Sequence, residues 1–235
     1  MSPLQPQLSA VAPLSRRFDA AAFAARPGLE EVGVADAAGM AAGVGFLAAR
    51  REREHRLVAF VAPRFWLHER GRPYGHGLER LGVGAERLLI ATPANETEAL
   101  WTLEEVLRSG AAGLVIGAVE GASLTATRRL DLVAREAGAL VALIRTTPTT
   151  QLSAARRRWR ITPAPSAVDP WDAKASGAPR WRAVLERSRD GAHGEALLEF
   201  DDETVRLRLV DGLADHRLAV GATRATPERL RKDAA

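Results

Sequence analysis

Between residues 56 and 146 the chain alternates two hydrophobic patterns. Short, fully apolar runs, such as "GLVIGAV" (113–119) and "ALVALIRT" (139–146), are separated by segments whose apolar residues recur every three or four positions. Leu100, Leu103, Val106 and Leu107 form one such stripe, preceded by an Asn95–Glu98 capping box and followed by Gly110 as the expected C′ residue. A second helix, 123–138, is again closed by a glycine, and "RLVAFVAP" (56–63) and "ERLLIATP" (86–93) read as further strands. Upstream, 16–26 reads as a short helix ended by Pro27-Gly28. "LEEVG" (29–33) reads as a short strand, and 36–53 as a helix with Asp36 as N-cap. The stretch after Pro63 reads as a Gly- and aromatic-rich loop with a helix at 75–81.

Strands apolar on both sides, alternating with helices, predict an α/β fold. Its sheet is buried and mostly parallel, with right-handed crossovers placing helices on both faces. The pattern changes after 147. "RRRWRIT" (156–162) reads as an edge strand and 163–180 as a Pro/Gly/Ser loop, long enough to be mobile or functional. "WRAVLERSR", "EALLEF" and "TVRLRLV" then alternate as short strands and predict a small antiparallel C-terminal extension. Residues 1–14 and 221–235 are expected to be disordered, leaving one domain over 15–220.

Composition narrows the chemistry. With no cysteine, disulfides, thiolate metal sites and cysteine nucleophiles are excluded, which fits a reducing cytoplasm. No apolar run suggests a signal peptide or a membrane span. The five histidines show no metal-ligand spacing, and no serine stands in a nucleophile elbow. Charge is uneven: Arg145 to Arg189 holds ten basic and three acidic residues, against a net +4 for the whole chain. A basic segment of that kind can mark a polyanion or acidic-partner face. Within it "ARRRWR" and "RWR" interleave arginine with tryptophan. Arg156, Arg157, Arg158, Trp159, Arg160, Arg180, Trp181 and Arg182 are therefore candidate contacts for a protein partner or single-stranded DNA. The competing reading is an edge strand whose arginines are solvated and whose tryptophans pack inward.

The stretch "LEEVGVADAAGMAAGVGFLAARRE" has the strand–glycine–helix order of a phosphate-binding loop, with glycines at 33 and 39. The spacing is one residue too long, Met40 stands where the phosphate-binding lysine would be, and Ala41 replaces the metal-binding hydroxyl. No lysine occurs before Lys174.

These residues, with "LVAFVAPRFW", "LGVGAERLLIATPANETEALWTLEEVLRSGAAGLVIGAV" and "ALVALIRTTP", resemble the RecA-like recombinase core and, more closely, the ImuA family. That family consists of RecA-like accessory proteins of damage-induced mutagenesis in bacteria. The resemblance covers about residues 15–215 and implies a three-layer RecA-like core. It also implies an accessory role in translesion synthesis under SOS control. The implied partners are a polymerase-like protein lacking catalysis and an error-prone replicative-type polymerase, with the recombinase filament as a further contact. The departures agree with one another. Pro63 and Arg64 stand near the catalytic glutamate position, Ala118 or Val119 at the Walker B aspartate, and Glu120 lies beyond the strand end. Phosphoryl transfer depends on positioning and charge compensation, so no ATP hydrolysis and no cofactor are expected. "VEGASLTATRR" and "TTPTTQLSAARRR" are shorter than recombinase DNA-binding loops. Phe18 and Ala21, in "FDAA", match the Phe-x-x-Ala pattern by which recombinases dock neighbouring subunits. The alternative class sharing a degenerate RecA-like core is the SOS cell-division inhibitor, which binds a tubulin-like division protein.

Overall fold

The computed structural model describes residues 23–51, 56–146 and 151–210. Phe18 and Ala21, the two terminal segments and most of the 16–26 helix expectation lie outside the described residues. The described part of that last stretch, 23–26, is not helical.

Nine strands form one sheet: β1 (Gly28–Gly33), β2 (Leu57–Val61), β3 (Leu88–Ala91), β4 (Ala112–Ala118), β5 (Leu140–Arg145), β6 (Arg157–Ala164), β7 (Arg180–Ser188), β8 (Gly194–Asp201) and β9 (Arg206–Leu209). Their spatial order is β3-β2-β4-β5-β1-β6-β7-β8-β9. Every pairing from β3 to β6 is parallel, and the pairings from β6 to β9 are antiparallel. Among the described residues five α-helices accompany it: α1 (Ala37–Arg50), α2 (Arg64–Arg70), α3 (Gly75–Arg80), α4 (Glu96–Arg108) and α5 (Leu124–Glu136). The α/β class, the mostly parallel sheet with helices on both faces and the antiparallel extension are as the pattern predicts.

Phe46 and Leu47 of α1, Trp66 and Leu67 of α2 and Leu78 of α3 pack on one face. Leu103 and Leu107 of α4 and Leu130 and Ala134 of α5 pack on the other. The caps explain where these helices start and stop. Asn95 Oδ1 accepts from Glu98 N at 2.9 Å, and Ser123 Oγ accepts from Ala126 N at 3.2 Å. Gly110 and Gly138 leave their helices at φ +68° and +61°, a region that favours glycine.

Two expectations are corrected. Residues 64–70 are not loop but α2, entered through Pro63 and left through Gly71 at φ +82°. The strand at 156–162 is not an edge. It pairs parallel with β1 and antiparallel with β7, because β1 has β5 on its other side only. Among the described residues no helix is long and apolar enough to cross a membrane.

Candidate functional site

The turn from β1 to α1 is the candidate phosphate site. Val34 N is held by Arg145 O at 2.9 Å, and Asp36 caps α1, its Oδ1 accepting from Gly39 N at 2.7 Å. A helix N-terminus attracts anions because its first amides are unpaired. Here the protein's own carboxylate already occupies that end, and it would repel a phosphate.

The helical glycines have another use. A Cβ on Gly43 would lie 2.9 Å from Val34 Cγ1, and one on Gly45 would lie 2.9 Å from the Trp181 ring. They let α1 lie close against the sheet. Met40 is half-buried against the core, Ala41 is exposed, and Ala118 is buried at the end of β4. None of these three supplies a charge or a ligand atom.

Carboxylates also close the turns after β4 and β5. Glu96 Oε1 and Oε2 accept from Glu120 N and Gly121 N at 3.0 and 3.1 Å. Glu120 Oε1 accepts from Thr146 N and Thr146 Oγ1 at 2.7 and 2.6 Å. The amides of Gly39, Glu120, Gly121 and Thr146 are thus each answered by an acidic side chain of the same chain.

Beside these turns lies a crevice of about 430 Å³, lined by Glu31, Gly33, Arg145, Arg158, Arg160 and Glu186 among others. Its cations are not free. Arg145 Nη2 reaches Glu31 Oε1 at 2.9 Å, and Arg158 Nη2 reaches Glu31 Oε2 at 2.7 Å. Arg145 Nη1 also donates to the Glu120 carbonyl, and Arg160 pairs with Glu186.

The neighbouring residue of β1 does the same on the opposite face. Glu30 accepts from Arg50 Nη1 at 2.8 Å and Nη2 at 3.1 Å, and from Trp159 Nε1 at 2.9 Å. Arg157 Nη1 stands 3.7 Å from Glu30 Oε1. Burial pushes the Arg157 guanidinium below its ordinary pKa. Glu30 opposes that shift and the nearby Arg50 reinforces it. Two adjacent glutamates in the central strand thus pair with four arginines, two on each face.

That arrangement corrects the reading of the arginine–tryptophan cluster as an open stacking face. Trp159 is fully buried, 5.5 Å from Phe23 and 5.2 Å from Phe46 between ring centres. Trp181 is buried beside Phe200. Neither can stack on a base. Arg157 and Arg158 belong to the β1 glutamates, and Arg156 is half-buried beside Gly28. Across the extension, Arg180 Nε reaches Glu199 Oε2 at 2.7 Å, and Arg182 pairs with Glu195. Only Arg160 and Arg182 of the eight keep more than half of their side chain exposed, at 58% and 52%. The alternative holds for Trp159 and Trp181, which pack inward, but not for its solvated arginines, since Arg156, Arg157, Arg158 and Arg180 are buried or half-buried. The β1 glutamates escaped the sequence reading. The available signal was an acidic pair inside a central apolar strand, set against a surplus of arginines in another.

Glu199 yields a pH prediction. Its burial pushes the carboxyl pKa up, but hydrogen bonds and charge from Arg208 and Arg180 outweigh that and hold it below its ordinary 4.5. A group depressed in the folded state stabilises above the unfolded pKa and loses that contribution as pH falls through the folded value. Unfolding free energy should therefore fall below about pH 4.5 more steeply in the wild type than in Glu199→Gln. Denaturant melts across that range test it, and parallel curves would contradict it.

No family model matches the chain. Protein ImuA of Caulobacter vibrioides (strain NA1000 / CB15N) is 34% identical over 167 residues, covering 66% of this chain and 68% of that protein. The protein of the same name from strain ATCC 19089 / CIP 103742 / CB 15 matches to the same extent. Among solved structures, SulA from Pseudomonas aeruginosa covers 50% of this chain and 96% of its own at 23% identity. Its TM-score of 0.36 is too low a superposition to define a shared fold. With that identity to the Caulobacter proteins sustained over about two-thirds of each chain, the chain belongs to the ImuA family.

Proposed function

We propose that this chain is a non-catalytic accessory protein of damage-induced, mutagenic translesion DNA synthesis. In this reading a RecA-like core was kept as a shape after its triphosphate chemistry was lost, and the protein works through contacts with polymerase components. Membership of the ImuA family supports the process. The observation that carries the non-catalytic part is Asp36, whose carboxylate holds the Gly39 amide at the end of α1 that a phosphate would have to approach. With Met40 and Ala41 beside it and Ala118 at the end of β4, the lysine and hydroxyl of a phosphate loop and the strand-end acid are all replaced. Arg160 and Arg182 are the cluster members placed to reach an acidic partner or a single-stranded DNA backbone.

The test is affinity capture with the tagged full chain from damaged cells, followed by reconstitution with purified subunits. Capture of the polymerase-like subunit or the error-prone polymerase is expected. Capture of a tubulin-like division protein instead would overturn the reading. Calorimetry at millimolar ATP with Mg²⁺ should show no binding, and Met40→Lys with Ala41→Thr should not create any, because Asp36 remains. One-to-one binding by the wild type would remove the non-catalytic half of the proposal.

A further inference from the structure

The β6–β7 connection, residues 165–179, is long for a hairpin loop, yet it is tied together by its own bonds. At its neck Ala167 N donates to Ala178 O at 2.9 Å and Gly177 N to Ala167 O at 3.0 Å, while Val168 bridges Ser176. A Cβ on Gly177 would lie 2.7 Å from the Ala167 carbonyl oxygen, so the neck closes only with glycine there. Two aspartates shape the tip. Asp169 Oδ1 accepts from Trp171 N at 2.8 Å and from Asp172 N at 3.0 Å, and Asp172 Oδ1 accepts from Lys174 N at 2.8 Å. This scaffold holds an indole in water: Trp171 is 95% exposed, and Val168 is 74% exposed.

An exposed indole on a self-braced loop gives the isolated chain no packing. Buried in a partner's pocket, it is among the most productive contacts a single residue can make. The bracing also lowers the ordering cost on binding. Charge selects the kind of partner. The segment carries Asp169 and Asp172 against Lys174 alone. Aromatic platforms for single-stranded nucleic acid sit in positive grooves, whereas here Asp169 and Asp172 flank Trp171 along the loop and would repel the phosphates. A protein pocket with an apolar floor and a Lys/Arg rim satisfies both the indole and the acids.

We infer that residues 165–179 are a docking knob that inserts Trp171 into an apolar, basic-rimmed pocket on a protein of the polymerase machinery. The inference rests on the proposed function for the identity of that machinery. The test measures binding of the purified full chain to the purified polymerase-like subunit and to the error-prone polymerase, at two salt concentrations. Trp171→Ala should weaken the affinity by about 30-fold or more, the size of an interfacial tryptophan hot spot. Asp169→Asn with Asp172→Asn keeps the Oδ1 acceptors that shape the tip but removes the charge. It should weaken binding by about 3- to 10-fold and flatten its salt dependence. Trp101→Ala, on α4 and 63% exposed, should bind as the wild type does. Since Trp171 makes almost no packing, Trp171→Ala should keep the wild-type melting curve, which separates lost docking from lost folding.

Wild-type binding that survives Trp171→Ala would remove the knob and leave the proposed function standing. So would loss of binding in Trp101→Ala alone. A drop in single-stranded DNA affinity in Trp171→Ala, with partner binding intact, would equally overturn the knob. If the wild type binds neither subunit, the proposed function falls and the knob falls with it.

Discussion

Glu30→Ala should be the most damaging single change in the molecule, costing about 3–5 kcal/mol, the range measured when one partner of a buried ion pair is removed. The side chains of Arg50, Arg157 and Glu30 are 1%, 7% and 3% exposed, so neither guanidinium can rehydrate when the carboxylate goes. Arg50 keeps Phe23 O at 2.6 Å and Arg157 keeps Ala24 O at 3.1 Å, and neither carbonyl neutralises a full charge. Trp159 Nε1 also loses its acceptor. A domain of this size is stable by roughly 5–15 kcal/mol, so the loss is a large share of the total and should lower the melting temperature by roughly 6–20 °C. Glu30→Gln keeps an acceptor for Trp159 and one for Arg50, and should fall between the two. Urea denaturation of the three proteins decides the matter. An alanine variant within about 1 kcal/mol of wild type would mean that water reaches Arg50 and Arg157.

Much of the scaffold could be read because its signals are local. The stripe from Leu100 to Leu107, the Asn95 and Ser123 caps and the closing glycines each act within a few residues, and each reappears in α4 and α5. Helix α2 went unread because seven residues with two aromatics and four charged or titratable side chains show no stripe; only Pro63 and Gly71 bracket it. The glutamates of β1 were opaque for a different reason. Glu31 meets Arg158 and Glu30 meets Trp159 across 127 and 129 positions of sequence. Read locally, "ARRRWR" is an unpaired basic run. Once β6 lies beside β1, with Glu30 opposite Arg157 and Glu31 opposite Arg158, most of that excess is spent inside the sheet. Trp171 shows the converse: its loop was visible in the sequence, but how far its ring stands out into water was not.

The candidate site divides the same way. Loss of the lysine, the hydroxyl and the strand-end acid was legible from residue types alone at Met40, Ala41 and Ala118. What replaced them was not. Asp36 was expected as an ordinary N-cap, and the structure gives it a second consequence, since the amide it caps belongs to the anion-facing end of α1. Glu96 acts similarly on the turn after β4, and Glu120 on the residue after β5. Internal carboxylates thus seal amides in the turns after β1, β4 and β5, and Glu31 does the same for two arginines of the crevice.

That sealing gives the second large effect. Glu31→Ala should cost about 2–4 kcal/mol, less than the change at Glu30, because its two arginines are not equally trapped. Arg158 has 19% of its side chain exposed and borders the crevice, so it can turn to water. Arg145, at 4%, cannot, and its Nε already lacks a hydrogen-bond partner among the described residues. Most of the penalty should therefore reside in Arg145. Glu31→Met combined with Arg145→Met removes both buried charges and should return to within about 1 kcal/mol of wild type, since a matched apolar pair is often neutral in such places. Losses that simply add would show that the two residues are not coupled. Glu31→Ala alone leaves the crevice with cations facing one remaining acid, Glu186. Inorganic phosphate should then raise the melting temperature of this variant while leaving the wild type unchanged. Equal responses would mean that Glu31 does not hold the crevice closed to anions. A gain confined to the variant would place the missing phosphate affinity in the chain's own carboxylates rather than in the shape of the fold.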